Sequence, residues 1–289
     1  MPLLKVIVLA IVQGLAELLP VSSSAHVVVA EKLLGLDPSS PPMTLVLVML
    51  HTGTMLAVIA YFWPQWRTTY FQSASAFRSF AVLVLVATAC TAVIGFGLVK
   101  GIEKTVLREV PHAQIEDLFS HLEFIAPALA AVGVLIVIAG LFERRQRARV
   151  PSGAGELNVR RAGLIGAVQG LCLPFRGFSR SGATISTGML LGVAKSRAEA
   201  FSFALAVVLT PPVVAREVLR LVHSVHAGGS SDLASAAFAS VLGALVALGA
   251  GLLALRWLSR WLEGGRWYVF GIYCLVAAVA VGLLHHAGY

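Results

Sequence analysis

Two short stretches of the chain carry residues able to handle a phosphate. The first runs Gln13-Gly-Leu-Ala-Glu17-Leu-Leu-Pro-Val-Ser22-Ser23-Ser24-Ala-His26; the second runs Arg176-Gly-Phe-Ser179-Arg180-Ser181-Gly-Ala-Thr184. Gln13 and Glu17 are four apart, so on a helix they share a face. Pro20 cannot continue that helix, and the serines behind it cap the next one, expected over 25–36. The second stretch lies just before a helix expected over 183–193. Each therefore offers hydroxyls and unpaired backbone N–H groups at a helix N-terminus. Such ends favour anions, and phosphate especially.

The elements that must hold these stretches are apolar. Of 289 residues, 58% are hydrophobic and only 12% charged, with a mean hydropathy of +0.86. A soluble domain carries about 25% charged residues. The apolar residues also come in long blocks, the pattern of lipid-exposed helices. The expected fold class is therefore an all-α integral membrane protein. Six blocks, approximately 43–62, 80–98, 124–142, 199–221, 236–255 and 267–285, can cross a hydrocarbon layer of about 30 Å, which takes about 20 helical residues. Two regions are apolar but broken: 3–19 with 25–36, and 162–175 with 183–193. Their inner pieces reach only about 18 Å at 1.5 Å per residue. Each pair reads as a re-entrant helical hairpin.

Loop charges fit that reading. Loop 63–79 carries Arg67 and Arg78, loop 143–161 carries six arginines against Glu143 and Glu156, and loop 256–266 carries Arg256, Arg260 and Arg266. The positive-inside rule places these in the cytoplasm, with Lys195 and Arg197, and the acidic loop 99–123 outside. Arg216 and Arg220 fit this scheme less well. The two halves also echo one another, Ile11-Val-Gln-Gly-Leu15 against Ala167-Val-Gln-Gly-Leu171. Each half is one hairpin plus three spans. Three is odd, so the second hairpin enters from the opposite face, giving an inverted-topology repeat whose broken helices meet near the midplane. A single membrane domain, 1–289, is expected, with repeat 1 over about 1–142, repeat 2 over about 162–289, and a basic loop 143–161 between.

The net charge of +8 does not indicate nucleic acid, because it is concentrated in loops and no aromatic-interleaved basic motif accompanies it. Cys90, Cys172 and Cys274 stand at unrelated spacings inside apolar blocks and read as packing residues.

Glu17, His26, Arg176 and Arg180 fall at membrane depth, where an ionisable group costs at least about 2.5–3.5 kcal/mol and usually marks function. The competing readings are a plain cap and packing patch for Ser22–Ser24, and a hydrogen-bonded core role for His26. His51 and Thr52, at mid-span, are left between packing and polar lining. Gly188 and Gly192 suit close helix packing.

These residues resemble the undecaprenyl-diphosphate phosphatase family, which recycles the bacterial cell-wall lipid carrier. The resemblance covers nearly the whole chain. Its motifs are Gln13-x-x-x-Glu17-x-x-Pro20-x-Ser22-Ser23-Ser24-x-His26 and Gly177-x-Ser179-Arg180-Ser181-x-x-Thr184, supported by Phe201-Ser202-Phe203-x-Leu205-Ala206. It implies six spans plus two re-entrant hairpins, a bacterial inner-membrane location, an active site facing the periplasm, and dependence on Mg²⁺ or Ca²⁺. The implied partners are a polyprenyl diphosphate lipid and the bilayer, with a homodimer left open. Two positions depart from the family pattern, Ala25 where Gly is usual and Arg176 where Pro is usual, and the first motif position, which the family fills with Glu or Gln, is Gln13. Gln13 leaves Glu17 as the one carboxylate for a metal, and Arg176 adds a cation.

The implied reaction is hydrolysis of a C55 diphosphate to the monophosphate and inorganic phosphate, which needs placement and charge neutralisation above all. Arg180 clamps the phosphate in this scheme. Ser22, Ser24, Arg176, Ser179, Ser181 and Thr184 bind it, and a hard cation rests on Glu17 with Gln13. Two arrangements stay open: His26 as nucleophile or general base, and Ser23 as nucleophile with His26 as its base. Three rivals remain: a polyprenyl-phosphate transporter, which inverted repeats suit equally; a phosphatase of the phosphatidic-acid type, whose second histidine before an aspartate has no counterpart after Arg180; and a structural membrane subunit with no chemistry.

Overall fold

Helix is the economical answer for apolar blocks in lipid, because it satisfies every backbone N–H and C=O internally. The computed structural model describes residues 2–37, 41–105, 121–147, 155–226 and 233–288, some near helix ends as backbone only. They form α1 (Leu3–Leu18), α2 (Ser23–Leu34), α3 (Pro41–Thr69), α4 (Ala74–Thr105), α5 (Leu122–Arg147), α6 (Val159–Cys172), α7 (Arg180–Leu190), α8 (Lys195–His226), α9 (Leu233–Glu263) and α10 (Trp267–His286). Among the described residues the only β pairing is an isolated bridge between Gly155 and Val193.

Five of these helices, α3, α4, α5, α9 and α10, are long and apolar enough to cross a membrane. Large apolar side chains such as Leu85, Val93, Phe96, Leu245, Val276 and Leu283 point outward from them. Contiguous outward apolar faces call for lipid rather than water. The chain is an all-helical, multi-pass membrane protein. The sixth expected span, 199–221, lies within α8, which runs through Pro211 and Pro212 and is not among the five. The side chains of Arg216 and Arg220 lie outside the described residues, as do Arg108, Glu109, Glu116, Asp117 and Arg149 of the loops.

The helices outrun the apolar blocks. α3 continues to Thr69 and α4 starts at Ala74, so Arg67 and Arg78 sit on helical turns and the expected loop shrinks to 70–73. Arg256 and Arg260 likewise lie on α9. Hydropathy marks where a helix is apolar, not where its hydrogen bonding stops. In the second broken region, α7 starts three residues before the expected helix because Ser179 is its cap, accepting from the N–H of Gly182 at 3.2 Å.

Packing repeats between the halves. α1 packs along α9 and α6 along α4, while α5 pairs with α10, and α3 packs chiefly on α9 and also on α8. The echoed glycines make the first two contacts. A Cβ on Gly14 would stand 2.7 Å from the Ala247 carbonyl oxygen of α9, and one on Gly170 would stand 2.8 Å from that of Thr91 on α4. Gly188 also serves close packing, against Ala198. Gly192 does not: its φ of 77° makes it a turn residue after α7, where a side chain would be strained. Trp267, fully buried, donates its indole N–H to Ser186 Oγ at 2.9 Å and ties α10 to α7.

Candidate active site

Pro20 ends α1, and the chain re-enters helix within a few residues. That sharp reversal puts Ser22 at φ 69°, the one positive φ outside glycine among the described residues. Such a conformation costs about 1–3 kcal/mol unless its surroundings enforce it. His26 supplies the enforcement. The Ser22 carbonyl accepts from His26 Nδ1 at 2.7 Å and from the His26 backbone N–H at 3.3 Å. That bond leaves Nε2 as the accepting nitrogen, and it meets the Tyr273 hydroxyl of α10 at 2.7 Å, with the two rings stacked.

The α6–α7 turn meets this one at three points. The Gly177 N–H donates to Ser24 Oγ at 3.2 Å, and the Ser181 hydroxyl donates to the Leu19 carbonyl at 3.3 Å. Gly177 lies at φ 98°, and a Cβ there would meet the Ile125 carbonyl oxygen at 2.6 Å. The third point is an ion pair, Arg180 Nη2 to Glu17 Oε1 at 2.9 Å. The other Glu17 oxygen accepts from Ser23 Oγ at 2.5 Å and from Gln13 Nε2 at 3.2 Å. One carboxylate therefore gathers a hydroxyl, an amide and a guanidinium. Arg180 Nη1 is buried and has no hydrogen-bond partner among the described residues.

Between the turns lies a cavity of about 260 Å³, lined by Glu17, Ser22, Ser23, Ser24, Arg176, Ser179, Arg180 and Ser181 on its polar side and by Leu173, Phe175, Phe178 and Leu209 on its apolar side. Eight expected site residues thus share one space. Three do not reach its wall. Gln13 is buried behind Glu17. Thr184 is fully buried and shares a 2.6 Å hydrogen bond with Ser202 of α8. His26 faces Tyr273, and no hydrogen bond joins it to Ser23 among the described residues; Ser23 has Glu17 instead. Gln169, Ser202 and Tyr273 were not expected here. The echo of Gln13 pointed to Gln169, and the Phe201-Ser202-Phe203 motif to Ser202. Tyr273 gave no sequence signal.

The donor set does not fit a resident divalent cation. No group of three His, Cys, Asp or Glu side chains stands together among the described residues. Both Glu17 oxygens already accept hydrogen bonds, one from a guanidinium, and Gln13 turns its amide NH₂ toward that carboxylate. A hard cation prefers several oxygen ligands.

Helical hairpin tips that pool serines, an arginine and a glutamate around a half-apolar cavity define a membrane protein built to hold an anionic head group on an apolar tail. The chain belongs to the family described as bacitracin resistance protein BacA, which it matches over residues 6–280. It is 55% identical over 278 residues to undecaprenyl-diphosphatase 2 of Acinetobacter baylyi, covering 95% of each chain. It is 33% identical to the undecaprenyl-diphosphatase of Desulfosudis oleivorans, covering 93% of this chain and 94% of the relative. It is 30% identical to that of Rhodopirellula baltica, covering 98% of each.

Proposed function

We propose that this chain hydrolyses undecaprenyl diphosphate to undecaprenyl phosphate and inorganic phosphate, with Ser23 as nucleophile. The observation that carries the assignment is the line Ser23–Glu17–Arg180, which crosses from one hairpin to the other at the cavity. The diphosphate head enters the polar side, and the prenyl chain leaves along Leu173, Phe175, Phe178 and Leu209. Ser23 Oγ attacks the terminal phosphorus and its proton passes to Glu17. A new Oγ–P bond forms as the anhydride P–O bond breaks, and the monophosphate departs with the bridging oxygen. Water then attacks the phosphoserine, freeing inorganic phosphate and restoring the hydroxyl.

Charge on the transferring group must be neutralised throughout. Arg180 takes that role, with Arg176 beside it and Ser22, Ser24, Ser179 and Ser181 as donors. Thr184 supports the α7 cap region from behind. His26 holds the Ser22 carbonyl, which keeps Ser23 aimed at the cavity. This arrangement favours Glu17 over His26 as the proton acceptor for Ser23. A divalent cation belongs, on this reading, to the substrate, whose diphosphate would bring it in on its own oxygens.

Six spans and two re-entrant hairpins in inverted repeat, within one membrane domain, account best for the paired packing of α1 with α9 and α6 with α4. Loop charges and the family resemblance support the inner membrane and a periplasmic opening. The test is phosphate release from C55 diphosphate by detergent-purified protein. Ser23→Ala should abolish it while leaving the melting temperature unchanged, and near-full turnover by that variant would remove Ser23 as nucleophile.

A further inference from the structure

Beside the substrate cavity, and sharing Glu17 and Arg180 with it, lies a second and much smaller space. It measures about 20 Å³ and is lined by Glu17, His51, Thr54, Arg180 and Thr210 together with apolar residues. A water needs about 10–15 Å³ of such space and two to four polar partners, so the space suits one water. Thr54 and Thr210 donate their hydroxyl protons to the carbonyls of His51 and Ala206, at 2.9 and 2.7 Å. Each keeps lone pairs for a water.

His51 is the unusual member. It sits within α3, one of the helices able to cross the membrane, yet its side chain is exposed. An ionisable group facing hydrocarbon at that depth is costly, and such residues face a water-filled path instead. Its Nδ1 donates to the Leu47 carbonyl at 2.9 Å, so Nε2 carries the lone pair that can accept a proton. The charged groups facing it are Glu17 from α1 and Arg180 from α7. α8 adds only the Thr210 hydroxyl at this space, and α9, which meets α3 where Gly53 touches Ala244, is apolar there.

We propose that His51 is the proton outlet of the site, drawing protons from Glu17 through this small space. The proposal rests on the hydrolytic reading above. In the first step Glu17 gains the Ser23 proton as the Oγ–P bond forms. A protonated Glu17 no longer balances Arg180, so the proton must move on before the next turnover. A bridging water accepts it from Glu17 and passes its own proton to His51 Nε2, which releases it to solvent. Histidine exchanges protons readily near neutral pH. His51 touches neither substrate nor phosphorus, so its effect is on proton movement alone.

The test is steady-state phosphate release from C55 diphosphate across pH 5–9 by purified His51→Gln and wild type. The glutamine keeps a polar group on the small space but cannot carry a proton. We expect kcat to fall about 10²-fold, the lower end for acid–base assistance, with KM unchanged and the acid limb of the wild-type profile lost. His51→Ala covers the case of a poorly folded glutamine variant, since free imidazole should restore its rate in proportion to concentration. A His51→Gln profile parallel to wild type, or no imidazole rescue of folded His51→Ala, overturns the outlet. Wild-type protein that releases no phosphate at all overturns the hydrolytic reading instead.

Discussion

Gln13 and Gln169 hold the same place in the echoed Val-Gln-Gly-Leu segment. Both are buried, both donate through Nε2, and both precede a glycine pressed against a partner helix. Gln13 gives its hydrogen bond to Glu17. Gln169 gives its own, at 3.1 Å, to Thr91 of α4, whose hydroxyl in turn donates to the Gly166 carbonyl at 2.8 Å. Four residues on from each glutamine stand Glu17 and Leu173. The first hairpin thus turns a shared scaffold into an acid site, and the second spends the same glutamine on helix packing. The cation comes instead from the far side of the second turn, at Arg180. Packing is duplicated and the proposed chemistry is divided, so on that proposal neither hairpin holds a working site alone.

Removing the second hairpin's contribution should have the largest effect. Arg180→Ala is expected to lower kcat for phosphate release by about 10³–10⁵, the range for losing an arginine that balances a transferring phosphoryl group. Arg180→Lys should recover only part, because a point charge lacks the planar fork with which a guanidinium holds a phosphate. The next effect is on stability. Glu17→Gln strands a part-buried guanidinium, at about 3–5 kcal/mol for breaking such a pair. That figure is an upper bound here, since side-chain exposures of 24% for Arg180 and 17% for Glu17 let solvent screen the charge. The double variant Glu17→Gln with Arg180→Gln should lose less than the two single losses summed, as a melting-based double-mutant cycle would reveal.

The glutamines themselves separate the two roles more finely. Gln169→Leu should cost about 0.5–1.5 kcal/mol of stability, the net worth of its one hydrogen bond to Thr91, with a smaller loss of rate than Gln13→Leu. Equal rate losses would erase the distinction drawn between the hairpins. The smallest effect concerns metal: calorimetry of substrate-free protein with Mg²⁺ or Ca²⁺ should show no saturable heat at this site. A saturable heat that Glu17→Gln abolishes would make the cation a resident of the first hairpin.

Much of this molecule can be read before any coordinate is known. The apolar blocks appear as helices, Pro20 does break the first of them, and Ser179 does cap α7. Eight of the residues picked by type and spacing share one cavity. What spacing could not supply was direction. Thr184 sits one helical turn beyond Arg180, and nothing in the sequence says it turns toward Ser202 of α8. His26 lies near Ser23 in sequence, but its ring is drawn away by Tyr273, 247 residues distant. Periodicity reports which residues share a face; it is silent on which neighbour that face meets. The lengths of α3 and α4 were missed for a related reason, since hydrogen bonding carries a helix past the point where its side chains stop being apolar.

On the proposed mechanism, the Glu17–Arg180 pair has a consequence for the resting protein. While the cavity holds no anion, the guanidinium is answered by the carboxylate, and the carboxylate is a poor acceptor for the Ser23 proton. A diphosphate competes for Arg180 with more negative charge than a carboxylate carries, and as it wins, Glu17 is released to act on Ser23. On that mechanism the substrate arms the group that cleaves it, and an idle enzyme in the membrane keeps its serine quiet.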